Sequence, residues 1–289
     1  MSAEVWTIGR LVKWATDDFK TRGLESPRLE AELLLGAVLG FDRIKLITES
    51  TRPLEPEELT TFKALLMRRR RHEPVAYLLG RREFYGRSFA VDPSVLIPRP
   101  DTEALVETAL RRTEHRSLSG RALDLCTGSG CVAITFARER PTWRVTGTDL
   151  SPAALAFARK NALRLGAIWN VQWFEGDLFA PLGPARPVHD LITANPPYIP
   201  EAEVDTLEPT VREFEPRLAL AGGPDGMVIM RRLVAEAPAH LAPGGVLAVE
   251  IMAGTSGAVQ ALFAAAGLAD VQVTNDYGGH DRVVSGRRA

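Results

Sequence analysis

The chain has 289 residues, 45% apolar and 25% charged, the composition of an ordinary globular protein with room for two domains or one large one. A net charge of −1 and a pI near 6.6 argue against a protein held to nucleic acid by bulk attraction. No apolar run approaches the roughly 20 residues of a membrane span, and with two cysteines a disulfide framework is excluded. The start, Met1-Ser2-Ala3-Glu4-Val5-Trp6, lacks a basic region followed by an apolar stretch. Cys126 and Cys131 are not spaced as Cys-x-x-Cys and the five histidines are scattered. A soluble cytoplasmic protein without a metal site is expected.

Residues 1–75 read as a helical bundle. Val5, Ile8, Leu11, Val12, Ala15 and Phe19 recur at helical spacing. Ser26-Pro27 is an N-cap and first-turn pair before Leu29, Leu33, Leu34 and Val38, and Gly40 ends that helix. Pro56-Glu57-Glu58 opens another through Leu59, Phe62, Leu65 and Leu66, and residues 44–47 add a short one. The run Arg68-Arg69-Arg70-Arg71-His72 admits two readings: a contact patch for an acidic or RNA-bearing partner, or cations that suit the dipole at a helix C-terminus. The second is preferred. Residues 76–103 hold a hairpin around Tyr85-Gly86-Arg87 and a stiff connector, Leu96-Ile97-Pro98-Arg99-Pro100. Asp101-Thr102 is expected to cap the next helix.

Residues 104–289 alternate between strand and helix patterns. Strands are predicted at 122–126, 144–148, 171–174, 190–194 and 246–251, and helices at 132–138, 153–165, 227–241 and 258–266, with a final strand pair at 271–273 and 282–284. Such alternation predicts an α/β fold, a mostly parallel sheet covered on both faces, with an antiparallel last strand.

Two segments carry chemistry. Asn195-Pro196-Pro197-Tyr198 follows the apolar run 190–194, so a rigid turn stands at the carboxyl end of a buried strand, where open α/β sheets bind ligands. The Asn195 side-chain oxygen and the Pro196 carbonyl are two acceptors without an acid or base, which suits a substrate presenting an NH2 group; the plain alternative is turn punctuation. Thr127-Gly128-Ser129-Gly130 is a glycine loop after the first strand, and Asp149 lies about twenty residues later, where an acid holds ribose hydroxyls. This geometry serves a nicotinamide dinucleotide or S-adenosylmethionine. The dinucleotide needs backbone amides at its pyrophosphate, whereas a methionine ammonium welcomes an acid such as Asp124.

Taken together, Asp124-Leu125-Cys126-Thr127-Gly128-Ser129-Gly130, Asp149, Gly176-Asp177 and Asn195-Pro196-Pro197-Tyr198 resemble a class I S-adenosylmethionine-dependent methyltransferase, with its Rossmann-like seven-stranded sheet. Phe84-Tyr85-Gly86, Leu96-Ile97-Pro98-Arg99-Pro100-Asp101-Thr102-Glu103, Phe214-Glu215-Pro216 and Ala221-Gly222-Gly223-Pro224-Asp225-Gly226 narrow the resemblance to the HemK/PrmC family, glutamine N5-methyltransferases of translation release factors. The resemblance implies S-adenosyl-L-methionine as cofactor, S-adenosyl-L-homocysteine as product, no metal, and class 1 peptide chain release factors as protein substrate, with the glutamine of their Gly-Gly-Gln motif as acceptor. It implies that Cys126, Thr127, Gly128, Ser129 and Gly130 line the methionine and ribose part of the cofactor. Asp149 would bind the ribose, Asp177 and Leu178 would sit at the adenine, and Arg99 and Pro100 would approach the methionine end. Asn195, Pro196, Pro197 and Tyr198 would hold the glutamine, with Asn195, Pro196 and Tyr198 catalytic and Asn195 also at the cofactor. The helical region would dock the partner. A monomer is expected, with no sequence-specific nucleic-acid binding. One departure stands out: the family follows Glu-Ile with Gly and then Gln, and here Glu250-Ile251 leads into Met252-Ala253-Gly254-Thr255. The nearest rival is a DNA or RNA exocyclic-amine methyltransferase, which presents a flipped base NH2 by the same logic. A nicotinamide-dependent oxidoreductase and a binding protein that keeps the fold without activity are the others.

Overall fold

Apolar residues that alternate along each strand have to be covered on both faces, and helices do the covering. The computed structural model describes residues 5–116, 118–183 and 188–289. Met1–Glu4, part of the start that lacks a basic region followed by an apolar stretch, lie outside that set. The chain divides into two compact units, one holding the chain up to Gly80 together with Pro209–Phe214, the other holding Arg81–Glu208 and Glu215–Ala289.

The first unit contains helices α1 (Ile8–Thr21), α2 (Pro27–Leu39), α3 (Arg43–Thr48), α4 (Pro56–Arg69) and α5 (Val75–Leu79). Ile8, Leu11, Ala15 and Phe19 pack with Leu34, Leu35, Phe62 and Leu66 into one core, as the helical spacing requires. Gly40 ends α2 in the left-handed conformation. Ser26 stands at the N-cap of α2, but its hydroxyl makes no capping bond. Three cations of the basic run are drawn into the unit's own ion pairs: Arg68 with Glu73, the buried Arg69 with Glu30, and Arg70 with Asp18. That accords with the helix-terminal reading of the run rather than a free cationic patch.

The second unit opens with a hairpin, β1 (Arg81–Phe84) and β2 (Arg87–Ala90), turning at Tyr85-Gly86. A 3-10 turn at Pro100–Thr102 leads into α6 (Glu103–Arg112). Then follow β3 (Arg121–Leu125), α7 (Cys131–Glu139), β4 (Arg144–Asp149), α8 (Pro152–Arg164), β5 (Val171–Glu175) and β6 (His189–Ala194). Two short helices, α9 (Glu201–Val204) and α10 (Pro209–Arg212), come next, the latter within the segment that belongs to the first unit. The chain closes with α11 (Val228–His240), β7 (Leu241–Glu250), α12 (Ser256–Ala265), β8 (Leu268–Asn275) and β9 (Asp281–Arg288).

The seven strands β3 to β9 form one sheet in the order β5-β4-β3-β6-β7-β9-β8. Pairs among β3 to β7 are parallel, and β9 runs antiparallel between β7 and β8. Strand periodicity splits the core: Ala122, Leu191 and Val246 face one cluster, Leu123, Ile192 and Leu247 the other. From β3 the chain moves outward to β5 and then crosses back to β6 on the other side. The carboxyl ends of β3 and β6 therefore flank the point where strand order reverses, the ligand crevice of open α/β sheets. The expected mostly parallel α/β sheet with an antiparallel last strand is what the chain forms.

Strand β7 begins at Leu241, five residues before its predicted start, because α11 runs straight into it and its register with β6 shifts between His189 and Leu191. The short helices α5, α9 and α10 went unpredicted; pieces of four or five residues carry no periodicity to read. Among the described residues no helix is long and apolar enough to cross a membrane.

Candidate active site

At the carboxyl end of β3 the backbone turns through positive φ at Cys126, Gly128 and Gly130 before α7 begins. Neighbouring strands wire this loop. Thr127 N–H donates to the Thr148 carbonyl of β4, and Gly128 N–H donates to Asp149 Oδ2 at 2.8 Å. Asp149 Oδ1 accepts from Ser151 N–H at 2.9 Å. Each oxygen of that carboxylate keeps a further lone pair for a ligand. Burial pushes the Asp149 carboxyl up, and the backbone N–H groups of Ser151, Gly128 and Leu150 oppose the shift. Beneath the loop, the fully buried Asn161 of α8 donates to the carbonyls of Ser129 and Ala90 and accepts from Ala90 N–H, clamping the loop to strand β2.

Asp124 is buried and borders the cleft above the loop. Thr127 and Thr193 donate their hydroxyls to its two oxygens at 2.6 and 2.7 Å. Burial raises its carboxyl to about 6, against the pull of those hydroxyls and the Ala133 N–H. No cationic side chain pairs with it among the described residues. A buried carboxylate without a cation is costly unless a ligand supplies one. Neither cysteine is an available nucleophile: burial pushes the Cys126 thiol far up and the Cys131 thiol to about 12.

The cleft encloses about 1120 Å³, its open mouth included. Asp124, Asp149 and Asp177 border it on the polar side, and Leu150, Leu178 and Ile229 on the apolar side. The buried Leu178 adopts φ 46°, unusual for a residue with a branched side chain, and its carbonyl accepts from the Thr148 hydroxyl at 3.1 Å. Asp177 is bridged to Arg232 of α11 at 2.7 Å. All of Cys126, Thr127, Gly128, Ser129, Asp149, Asp177, Leu178 and Asn195 border this one cleft; Gly130 caps α7 behind it.

Asn195 follows β6 directly. Its Nδ2 donates to Thr102 Oγ1 at 3.3 Å, which leaves Oδ1 as an acceptor without a partner among the described residues. Pro197 borders the cleft beside it, whereas Pro196 and Tyr198 do not. The turn is held from the far side by residues 220–226: Ile199 N–H donates to the Leu220 carbonyl, Gly222 N–H to the Ile199 carbonyl, and Glu201 N–H to the Gly223 carbonyl. Close approach explains the glycines there. A Cβ at Gly222 would sit 2.7 Å from the Pro197 carbonyl oxygen, and one at Gly226 would overlap the Tyr198 carbonyl oxygen.

The connector is pinned in the same way. The buried Glu215 takes the Arg99 guanidinium at 2.5 Å and the Ile97 N–H at 3.3 Å. Arg99 borders the cleft, already engaged in that pair, and Pro100 lies outside the lining. The departing loop at residues 252–255 is tied to Asp281 at the start of β9 through Gly254 N–H and borders no part of the cleft.

Sequence reasoning missed Thr102, Asn161, Glu215 and Glu250 as parts of the site. Thr102 was read as a helix cap; it occupies the N-cap of α6 but makes no capping bond, its hydroxyl being turned to Asn195 instead. Glu250 ends β7 in register one residue beyond the pair Ala194–Val249, beside Asn195. It is 1% exposed, and burial pushes its carboxyl to about 7 while the hydroxyls of Thr102 and Tyr198 pull the other way.

The chain matches the PrmC N-terminal domain family over residues 10–80 and the methyltransferase small domain family over residues 100–266. It is 47% identical over 284 residues to a release factor glutamine methyltransferase of Geobacter sulfurreducens, spanning 98% of each chain. A release factor glutamine methyltransferase of Rhodopirellula baltica is 42% identical over 289 residues, spanning 98% of this chain and 97% of the other. A solved methyltransferase of Pyrococcus furiosus shares the fold, with a TM-score of 0.54 and 18% identity over 78% of this chain and 98% of that one. With identity of this order along almost its whole length, the chain belongs to the release factor glutamine methyltransferase family.

Proposed function

We propose that this chain works in the cytoplasm and transfers the methyl group of S-adenosyl-L-methionine to the N5 side-chain amide nitrogen of a glutamine in class 1 peptide chain release factors, that of their Gly-Gly-Gln motif. One observation carries the reading: Asn195 gives its N–H to Thr102 and keeps its oxygen without a partner among the described residues, beside a cleft bordered by three carboxylates.

The residues present fit the cofactor. Asp124 is a buried acid in need of a cation, which a methionine ammonium supplies. Asp149 has lone pairs left for two ribose hydroxyls, and Leu150, Leu178 and Ile229 offer apolar contact to adenine, with Asp177 at its edge. The same three carboxylates oppose a dinucleotide, whose pyrophosphate would bring negative charge among them. That favours S-adenosylmethionine over a dinucleotide as the ligand of the glycine loop; when bound it would supply an electrophilic methyl on a sulfonium.

The protein's own task is to present a poor nucleophile. An amide nitrogen has its lone pair delocalised into the carbonyl, and methylation puts positive charge on it. No proton has to be removed first. Asn195 Oδ1 and the Pro196 carbonyl each accept one N–H of the glutamine amide, and both bonds strengthen as charge develops, so the transition state is bound more tightly than the ground state. Tyr198 walls the glutamine side with its ring. The nitrogen's lone pair forms the new N–C bond as the S–C bond breaks, and the surplus N–H proton passes to water. Two prolines and the bonds to residues 220–226 hold the acceptors still, so little reorganisation is needed. The helical unit serves to dock the release factor, and the enzyme works as a monomer.

Transfer of labelled methyl from S-adenosylmethionine to a class 1 release factor, with mass spectrometry of the product, tests the proposal. The expected result is a single added methyl on one glutamine side chain. Label in a nucleic acid, or in no glutamine, would overturn it.

A further inference from the structure

Glu250 is a buried acid that the mechanism above leaves unused. It stands at the end of β7 alongside Asn195 at the end of β6. Its Oε2 is buried and has no hydrogen-bond partner among the described residues. Two hydroxyls act on the carboxyl, Thr102 and Tyr198, and both favour its ionised form. Neither hydroxyl closes on Oε2, and catalytic hydrogen bonds are often long before a substrate tightens a site. The Thr102 hydroxyl already accepts the Asn195 Nδ2–H, so its own proton has to go elsewhere, and Glu250 is the acid beside it.

We propose that Glu250 is a positioning residue for methyl transfer: its carboxylate accepts hydrogen bonds donated by the Thr102 and Tyr198 hydroxyls and so fixes the Asn195 amide with Oδ1 toward the substrate nitrogen. The inference rests on the reading of Asn195 as an acceptor. A hydroxyl that donates to a carboxylate is a stronger acceptor for the Asn195 N–H. A polarised Asn195 N–H leaves more negative charge on Oδ1, where the substrate's positive charge develops. Protonated Glu250 gives up this role, because a carboxylic acid donates where the carboxylate accepted.

The charges around Glu250 are few. Arg282 of β9 favours the carboxylate and is itself bonded to Asp276 and near Asp101, while Asp101 opposes it. Tyr198 and Cys131 face it too, and burial pushes each to about 12, so neither changes charge near neutrality. Burial pushes the Asp276 carboxyl up, but the bonds it accepts from the His280 N–H, from Arg282 and from the Gly278 N–H hold it below the usual carboxylate range. Burial brings Glu250 itself to about 7, inside the working range. Asp124, at about 6, acts through the cofactor and is silenced by saturation.

The test is kcat against pH with cofactor and release factor saturating. The wild type is expected to lose up to about tenfold per pH unit below 7. Glu250→Gln is expected to lower kcat roughly 10–100-fold, to abolish that acid limb and to leave cofactor Kd unchanged. Thr102→Val, which keeps the carboxyl but removes a hydroxyl that stabilises its charge, is expected to lower kcat and move the limb to higher pH; it serves if Glu250→Gln does not fold. An acid limb that persists in Glu250→Gln, or one unmoved in Thr102→Val, overturns the proposal. Asn195→Ala separates the two readings: if it keeps full kcat, the acceptor mechanism fails. If it collapses while Glu250→Gln stays within about twofold of wild type, the role of Glu250 alone fails.

Discussion

The two loops that face each other across the strand crossover are built in opposite ways. The glycine loop after β3 is wired largely by residues within about two dozen positions of it: Asp124, Thr148 and Asp149 hold Thr127 and Gly128. The Asn195 turn after β6 is wired from far along the chain, by Thr102 in front and by residues 220–226 behind. A loop that grips a cofactor can be largely self-contained. A turn that aims a substrate has to be fixed against several elements at once, because a displacement of about 1 Å costs a reaction up to about 100-fold.

Substitutions can break each loop separately. The largest effect is expected from Asn195→Ala, which removes a transition-state acceptor: kcat should fall on the order of 100-fold or more, with cofactor affinity kept by the loop across the cleft. Steady-state methyl transfer together with calorimetric titration of S-adenosylmethionine measures both, and near-normal turnover would end the acceptor mechanism. Next comes Gly226→Ala. Its φ of 73° is unfavourable for alanine, and the added Cβ pushes on the Tyr198 carbonyl. A fall in kcat of roughly 10–100-fold, without a change in cofactor Kd, is expected from the displaced turn. Equal losses in both quantities would mean that the two loops are one mechanical unit.

On the cofactor side, Asp149→Ala is expected to weaken S-adenosylmethionine binding by roughly 1.5–3 kcal/mol, the scale of hydrogen bonds to a charged group. At saturating cofactor, kcat should recover much of its wild-type value, the reverse of the Asn195→Ala pattern. Calorimetry with unchanged affinity would remove Asp149 from the site.

This difference in wiring also sets what could be read from the sequence. The α/β alternation, the antiparallel last strand, the glycine loop and the Asn-Pro-Pro-Tyr turn were legible because each is written in contiguous residues: apolar periodicity, glycines, a proline pair. Thr102 was not, because a threonine before a helix has an ordinary use as a cap, and only Asn195 after β6, more than ninety residues on, gives its hydroxyl another partner. Glu215 has no legible task in its own stretch of sequence, because its partners, the Arg99 guanidinium and the Ile97 N–H, lie more than a hundred residues earlier. Asn161 sits mid-helix among residues with no polar pattern, and its value lies in bonds to Ala90 and Ser129, 71 and 32 positions away. Glu250 closes an apolar strand, where sequence predicts a partner for an acid but not its identity.

The smallest effect tests the cofactor loop most finely, through Asp124. Burial raises its folded-state carboxyl to about 6 from 3.8. Between those values the folded protein holds a proton that the unfolded chain has lost, so this group's contribution to stability falls as pH rises through that window. Cofactor binding has the opposite sign. An ammonium beside Asp124 favours the carboxylate and lowers its pKa, so affinity should rise with pH up to about 6 and then level off. The slope is at most about tenfold per pH unit, one proton released per ligand bound. In Asp124→Asn the ammonium meets a neutral amide: affinity should be weaker near pH 7.5 and lose its pH dependence between 5 and 7. S-adenosylhomocysteine keeps the ammonium but lacks the sulfonium, so it should follow the same pH curve as S-adenosylmethionine. A curve for the product that is flat while the cofactor's is steep would move the acid's partner from the ammonium to the sulfonium, and with it the orientation of the methionine end in the cleft.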